Sequence, residues 1–200
     1  MSPRSEAQPA TLSTTCEYSG EERRILLQLA HRAIESSLQG MRVDLTPPSQ
    51  HLAGKRGAFT TLHILGKLRG CIGYVVAQHP LYRTVAETAQ AAAFEDPRFG
   101  PVTEAEAPNL VIEISVLSPM APIGADEVEV GRHGLLVSQG IHRGLLLPQV
   151  PVEWGWDRET FLSQTCLKAG LAPDAWRQDA DLQAFTAEVF GESEAGGRAS

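Results

Sequence analysis

The chain has 200 residues, of which 42% are hydrophobic, 20% charged and only 6% aromatic. That composition suits one domain, or two small subdomains sharing a core built mostly from Leu, Val, Ile and Ala. The formal charge of −7 argues against general nucleic-acid binding, which depends on Lys and Arg neutralising phosphates, and no run of about 18 apolar residues offers a membrane helix.

Residues 1–18 are rich in Ser, Thr, Pro and Ala and read as a flexible tail. The tail has no apolar stretch of the kind a signal peptide needs. Ser19 can cap a helix from Gly20 to about Leu38, in which Ile25, Leu26, Leu29, Ala33 and Ile34 share a face. Gly40 ends it, and Pro47 and Pro48 mark a loop. "AFTTLHILGKLRGCIGYVV" predicts a β-hairpin around Gly66, turning at either Leu65-Gly66 or Gly66-Lys67. Alternation places Arg69 and Cys71 on a common face. Lys55, Arg56, Lys67 and Arg69 are close in sequence and are the best place for a local basic patch.

A helix from about Leu81 follows, with a thin inner stripe of Val85, Thr88, Ala89 and Ala92 that lets it lie close to a sheet. Pro97 stops it, because Asp96 before a proline disfavours helix. "LVIEISVLS" is a strand with Leu110, Ile112, Ile114 and Val116 on one face and Val111, Glu113, Ser115 and Leu117 on the other. "GLLVSQG" and "RGLLLPQV" predict a second hairpin. Asp157 can cap a helix through Leu167 that stops at Gly170. "LQAFTAEVF" reads as one last strand, and residues 191–200 as a C-terminal tail. Strands in adjacent pairs with helices between the pairs indicate an α+β fold, with antiparallel or mixed sheets and packed helices.

Five ordered segments together resemble one family. "LRGCIG" (Leu68 to Gly73) looks like the hexapeptide signature of the AMMECR domain family, also called AmmeMemoRadiSam system protein A. "AAAFEDPRF", "IEISVLSP", the stretch from "GRHGLLVSQG" to "LKAGL", and "FTAEVF" resemble further segments of that family in the same order. Tyr74 departs from it, standing where threonine is common. The resemblance covers about residues 20–190 and implies one AMMECR-type domain, over 19–190, of two intimately associated subdomains. It also implies a function not tied to a known reaction, and Memo-like and radical-SAM proteins as partners.

Several residues could carry chemistry. Cys71 is a candidate nucleophile, since a thiolate attacks carbon readily. A guanidinium at Arg69 about 6 Å away would favour the thiolate by about 0.7 kcal/mol in water and about 3 kcal/mol at an effective dielectric of 20. His133, between glycines in "GRHG", and His63, on the strand paired with the hexapeptide, are the candidate bases. Arg69, Gly70, Gly73, Asp96, Arg98 and Glu113 are candidate ligand contacts, with Arg98 able to clamp an anion and Glu113 in need of a cation if it faces a core. Each has a plain structural alternative: a packed thiol, a close backbone approach at the glycines, an Asp96–Arg98 ion pair. No Cys-x-x-Cys or His-x-x-x-His occurs, so no metal or other cofactor is expected. The odd, widely spaced Cys16, Cys71 and Cys166 fit a reducing, cytoplasmic location. The leading expectation is a module that binds a small molecule or a partner in a cleft around Arg69 and Cys71. The alternative is a thiol-dependent enzyme.

Overall fold

In the computed structural model, which describes residues 16–192, helix α1 (Gly20–Leu38) begins on a reciprocal cap. The Ser19 hydroxyl accepts from the Glu22 N–H, and the Glu22 carboxylate accepts from the Ser19 N–H. Two donors left open by the first helical turn are thereby satisfied. The hairpin strands β1 (Ala58–Ile64) and β2 (Lys67–Tyr74) meet at Leu65-Gly66. Both turn residues have positive φ, 51° and 70°, as a type I′ turn requires. Leu65 is 88% exposed, so it bears the left-handed strain of a branched side chain and packs on nothing. Leu65→Asn is expected to stabilise the protein by about 0.5–1 kcal/mol, seen as a rise of about 1–4 °C in Tm. An unchanged or lower Tm would show that the turn carries no such strain.

The first sheet has the order β2-β1-β3-β8, with β3 at Val111–Leu117 and β8 at Ala187–Gly191. Helix α2 (Leu81–Phe94) lies on β1 and β2, and α1 packs against α2 and reaches β3. Between them lies the larger core, in which Leu62, Ile112, Ile114 and Val116 meet Leu26, Ile34, Val85 and Ala92. The alanine stripe brings α2 so near that the Thr60 and Thr88 hydroxyls bond across the interface at 2.8 Å. Phe59, Thr61, His63, Glu113 and Ser115 occupy the sheet's opposite face, where they are only partly buried.

The second sheet has the order β4-β7-β5-β6, from β4 (Ala121–Pro122), β5 (Gly134–Gln139), β6 (His142–Leu146) and β7 (Asp181–Phe185). A short helix α3 (Gln149–Glu153) leads to α4 (Arg158–Lys168), capped by the Asp157 carboxylate on the Thr160 N–H. Phe161 and Leu162 of α4 pack on Leu135 and Ala184, and Cys166 on Val137. All pairings are antiparallel. The α+β class holds, and among the described residues no parallel pair makes either sheet mixed.

Two sequence expectations change. "LQAFTAEVF" is not one strand: it forms β7 in the second sheet and β8 in the first, parted at Thr186. There the Thr186 N–H donates to Ser118 Oγ, and the Ser118 N–H donates to the Thr186 carbonyl. Ser118 lies between β3 and β4, so the chain crosses between sheets twice, side by side. Residues at the inner ends of both expected tails are tied into the fold. Tyr18 is 2% exposed and stacks on His51, and Glu17 pairs with Arg56 at 2.6 Å. At the other end Gly191 pairs with Glu113, and the Glu192 carboxylate accepts from the Ile112 N–H. Residues 1–15 and 193–200, the rest of the expected tails, lie outside the described residues. Among those described, no helix is long and apolar enough to cross a membrane.

Candidate functional site

The hexapeptide lies on β2, an edge strand of its sheet. An open edge exposes backbone donors and acceptors, and at Cys71 an ion pair closes it. The Cys71 N–H donates to Asp96 Oδ2 at 2.9 Å, and its carbonyl accepts from Arg98 Nη2 at 3.3 Å. Asp96, only 4% exposed, also accepts from Arg98 Nε at 3.0 Å and Nη2 at 2.7 Å. Hydrogen bonds from Arg98 hold the Asp96 carboxyl well below the usual carboxylate range, against the opposing effect of burial, and the Cys71 and Arg98 amides reinforce them. The guanidinium that could have clamped an anion is committed to its own chain.

Arg69 is committed too. It is the extra residue of a β-bulge, for Leu62 faces Gly70 while His63 faces Leu68. Its Nε lies 2.8 Å from Glu106, and its Nη2 donates to the Pro101 carbonyl. Hydrogen bonds from Arg69, then from the Thr103 amide and hydroxyl, lower the Glu106 pKa to about 2. The cation bonded to the Cys71 backbone is therefore Arg98, whereas Arg69 pairs with Glu106 through Nε and Nη2 and keeps a buried Nη1 without an acceptor among the described residues. The glycines are equally accounted for. A Cβ on Gly70 would stand 2.1 Å from the Ala92 carbonyl oxygen of α2, and one on Gly73 would stand 2.2 Å from the Phe59 ring. Protein fills the space that both glycines leave.

On the sheet's outer face, Cys71, Thr61 and Glu113 form one cross-strand row. The Thr61 hydroxyl donates to Cys71 Sγ at 3.2 Å. Glu113 has no ion pair or hydrogen bond among the described residues, and Arg98 and Arg69 are held by Asp96 and Glu106. His63 stands two residues beyond Thr61 on β1. His133 belongs elsewhere. It precedes β5, accepts the Glu129 N–H on Nδ1 at 3.1 Å, and lines a groove of 220 Å³ with Ser118, Phe185 and Thr186. No hydrogen bond among the described residues joins it to Cys71, so the two candidate catalytic residues are not brought into one constellation.

A recess lies between the sheets. Helix α4 covers one face of the second sheet, leaving Leu145, Leu136 and Gln183 as a row on the other. That row, the loop ends around Gly57 and Val75 of the first sheet, and the Leu117–Met120 crossing line a half-open cavity of about 640 Å³. Apolar side chains make most of its wall, and Lys55, Arg56 and Arg143 are its charged members. The hexapeptide adjoins it: the chain leaving β2 supplies Val75, Val76 and Ala77. Of these residues only Lys55 and Arg56 draw notice in the sequence, as part of a basic run. Arg143 and Leu136 carry no local signal, because only the folded sheet shows which face α4 leaves open.

A family model described as AMMECR1 matches residues 27–190. A protein of Thermococcus onnurineus is 48% identical over 183 residues, 84% of this chain and 88% of that one. Protein MK0488 of Methanopyrus kandleri is 45% identical over 186 residues, covering 87% and 90%. Among solved structures, the crystal structure of the uncharacterized protein PH0010 from Pyrococcus horikoshii is similar, with a TM-score of 0.70, 46% identity, and coverage of 84% of this chain and 90% of that chain.

Proposed function

The chain belongs to the AMMECR1 family, and on that premise we propose that it is a ligand-binding module whose site is the cavity between its two sheets. One observation carries the reading: 640 Å³ of mostly apolar-walled space at the junction of two packed units, a size and position typical of small-molecule sites. The reading places the site in the cavity rather than at the Arg69–Cys71 surface beside it, where Asp96 and Arg98 pair with each other and Arg69 pairs with Glu106. The hexapeptide then acts as an anchor, fixing β2 so that Val75–Ala77 form a stable wall. Partnership with Memo-like and radical-SAM proteins, implied by the family resemblance, would have the module hold or pass on a small molecule within that group. A cytoplasmic setting fits, since no disulfide joins Cys16, Cys71 and Cys166.

N-phenyl-1-naphthylamine, a neutral dye bright in apolar surroundings, is the probe for this reading. Wild-type protein is expected to bind it saturably. Leu136→Trp, which fills the cavity, is expected to weaken it at least tenfold, and Cys71→Ser to leave it unchanged. Equal binding by wild type and the filled variant would overturn the reading.

The thiol-dependent enzyme has one observation in its favour, the Thr61 hydroxyl on Cys71 Sγ with Glu113 in the same row. Iodoacetamide labelling of Cys71 against pH decides it: reaction with an apparent pKa near 7 supports a nucleophile, and an inert thiol ends that reading.

A further inference from the structure

We propose that the cavity selects an anionic amphiphile: a small molecule with an apolar body and one carboxylate or phosphate head, the head held by Lys55 and Arg143. The proposal rests on the cavity being the binding site. The chain carries a net charge of −7, yet the cavity wall contains Lys55, Arg56 and Arg143 and no Asp or Glu. In an acidic protein, a concave surface of one positive sign is a local field that draws anions.

The three cations differ in how far they are already used. Arg56 is tied to Glu17 at 2.6 Å and to the Lys55 carbonyl at 3.0 Å, while its Nε is buried without an acceptor. The Lys55 and Arg143 side chains make no ion pair or hydrogen bond among the described residues. Arg143 is opposite Ser138, which is opposite Asp181 on the far strand. Asp181 does not line the cavity, and no ion pair joins it to Arg143. Two residues on from Arg143, Leu145 and Leu136 form an apolar pair in a row that ends at Gln183. A head group at Arg143 would therefore leave its apolar body lying along that row. Lys55 and Arg143 are both exposed, so the head sits at the mouth and keeps part of its hydration. Burying it unpaired would be far more costly.

A matched dye pair separates this proposal from the cavity reading. 1-Anilinonaphthalene-8-sulfonate is the neutral N-phenyl-1-naphthylamine with an added sulfonate. The anionic dye is expected to bind at least tenfold more tightly at low salt and to weaken as salt rises, the neutral one to be insensitive to salt. Lys55→Glu with Arg143→Glu, both at exposed positions, should cost the anionic dye at least tenfold and the neutral dye less than twofold. Decanoate and decyl phosphate should displace the anionic dye at least tenfold better than decanol, and the tighter of the two identifies the head. Equal dye affinities, no loss in the charge-reversed protein, or equal competition by decanol would overturn the anion proposal while the cavity reading stands. Indifference of both dyes to Leu136→Trp would overturn the two together.

Discussion

Gly70→Ala is expected to cost about 2–4 kcal/mol of stability, read as a lowered urea midpoint, although it adds a single methyl group. The added Cβ would lie 2.1 Å from the Ala92 carbonyl oxygen and 3.0 Å from its carbon. Both are backbone atoms in the last turn of α2, so no side-chain rotation relieves the contact. Helix α2 must lift from β2 or the strand must bow, and either movement loosens the layer holding Val85, Ala89 and Ala92. Gly73→Ala makes the informative contrast. Its Cβ would meet the Phe59 ring at 2.2 Å, but that side chain is only partly buried and can swing toward solvent. The expected cost is about half that at Gly70. Cys71→Ser, which keeps the size of the side chain, should cost less than either. An unchanged midpoint for Gly70→Ala would mean that helix contact is not why glycine is required there.

This ordering bears on how the hexapeptide is read. Glycines flanking a cysteine next to an arginine suggest a ligand cradle, and sequence reasoning keeps both that option and close packing open. The fold assigns the space at both glycines to the protein itself. The helix limits and caps were legible because Ser19, Asp157 and Gly40 act within a turn or two of their own position. The sequence admits a turn at Leu65-Gly66 or at Gly66-Lys67, and the backbone selects the first. Long-range facts were not legible. Alternation cannot show that β7 and β8 belong to different sheets, since the polarity pattern continues through Thr186. Glu106, the partner of Arg69, sits 37 residues away in a loop without periodicity. The bulge at Arg69 also defeats the simplest strand rule, because an inserted residue interrupts the two-residue repeat on which a shared face for Arg69 and Cys71 was based. The cavity is the extreme case, with walls drawn from six separate stretches of chain between Lys55 and Gln183.

Asp96→Asn should show whether the ion pair at the strand edge holds the hexapeptide in place. The expected loss is about 2–3 kcal/mol at pH 7, toward the lower end for a broken buried pair, because Arg98 is 54% exposed and can turn to water. Asparagine keeps one acceptor oxygen where the carboxylate has two, and its amide would turn a donor toward the Cys71 N–H or toward Arg98. One donor is left without an acceptor at the edge of β2. The pH dependence has a definite sign. With the folded carboxyl well below its ordinary value, the stabilisation is complete above about pH 5, beyond the unfolded-state pKa of about 3.9, and fades as pH falls through the lower folded value. Wild type and variant should therefore differ most at neutral pH and converge in acid. Glu106, lowered to about 2 by Arg69, is lost over the same acid range, so the comparison is made with Glu106→Gln in both proteins. A gap that stays constant down to pH 2 would exclude the carboxylate charge as its source. If the gap closes and N-phenyl-1-naphthylamine binding weakens in the variant at neutral pH, the edge clasp and the cavity wall at Val75–Ala77 are one mechanical unit. Binding that survives the loss of the clasp would separate the hexapeptide from the site beside it.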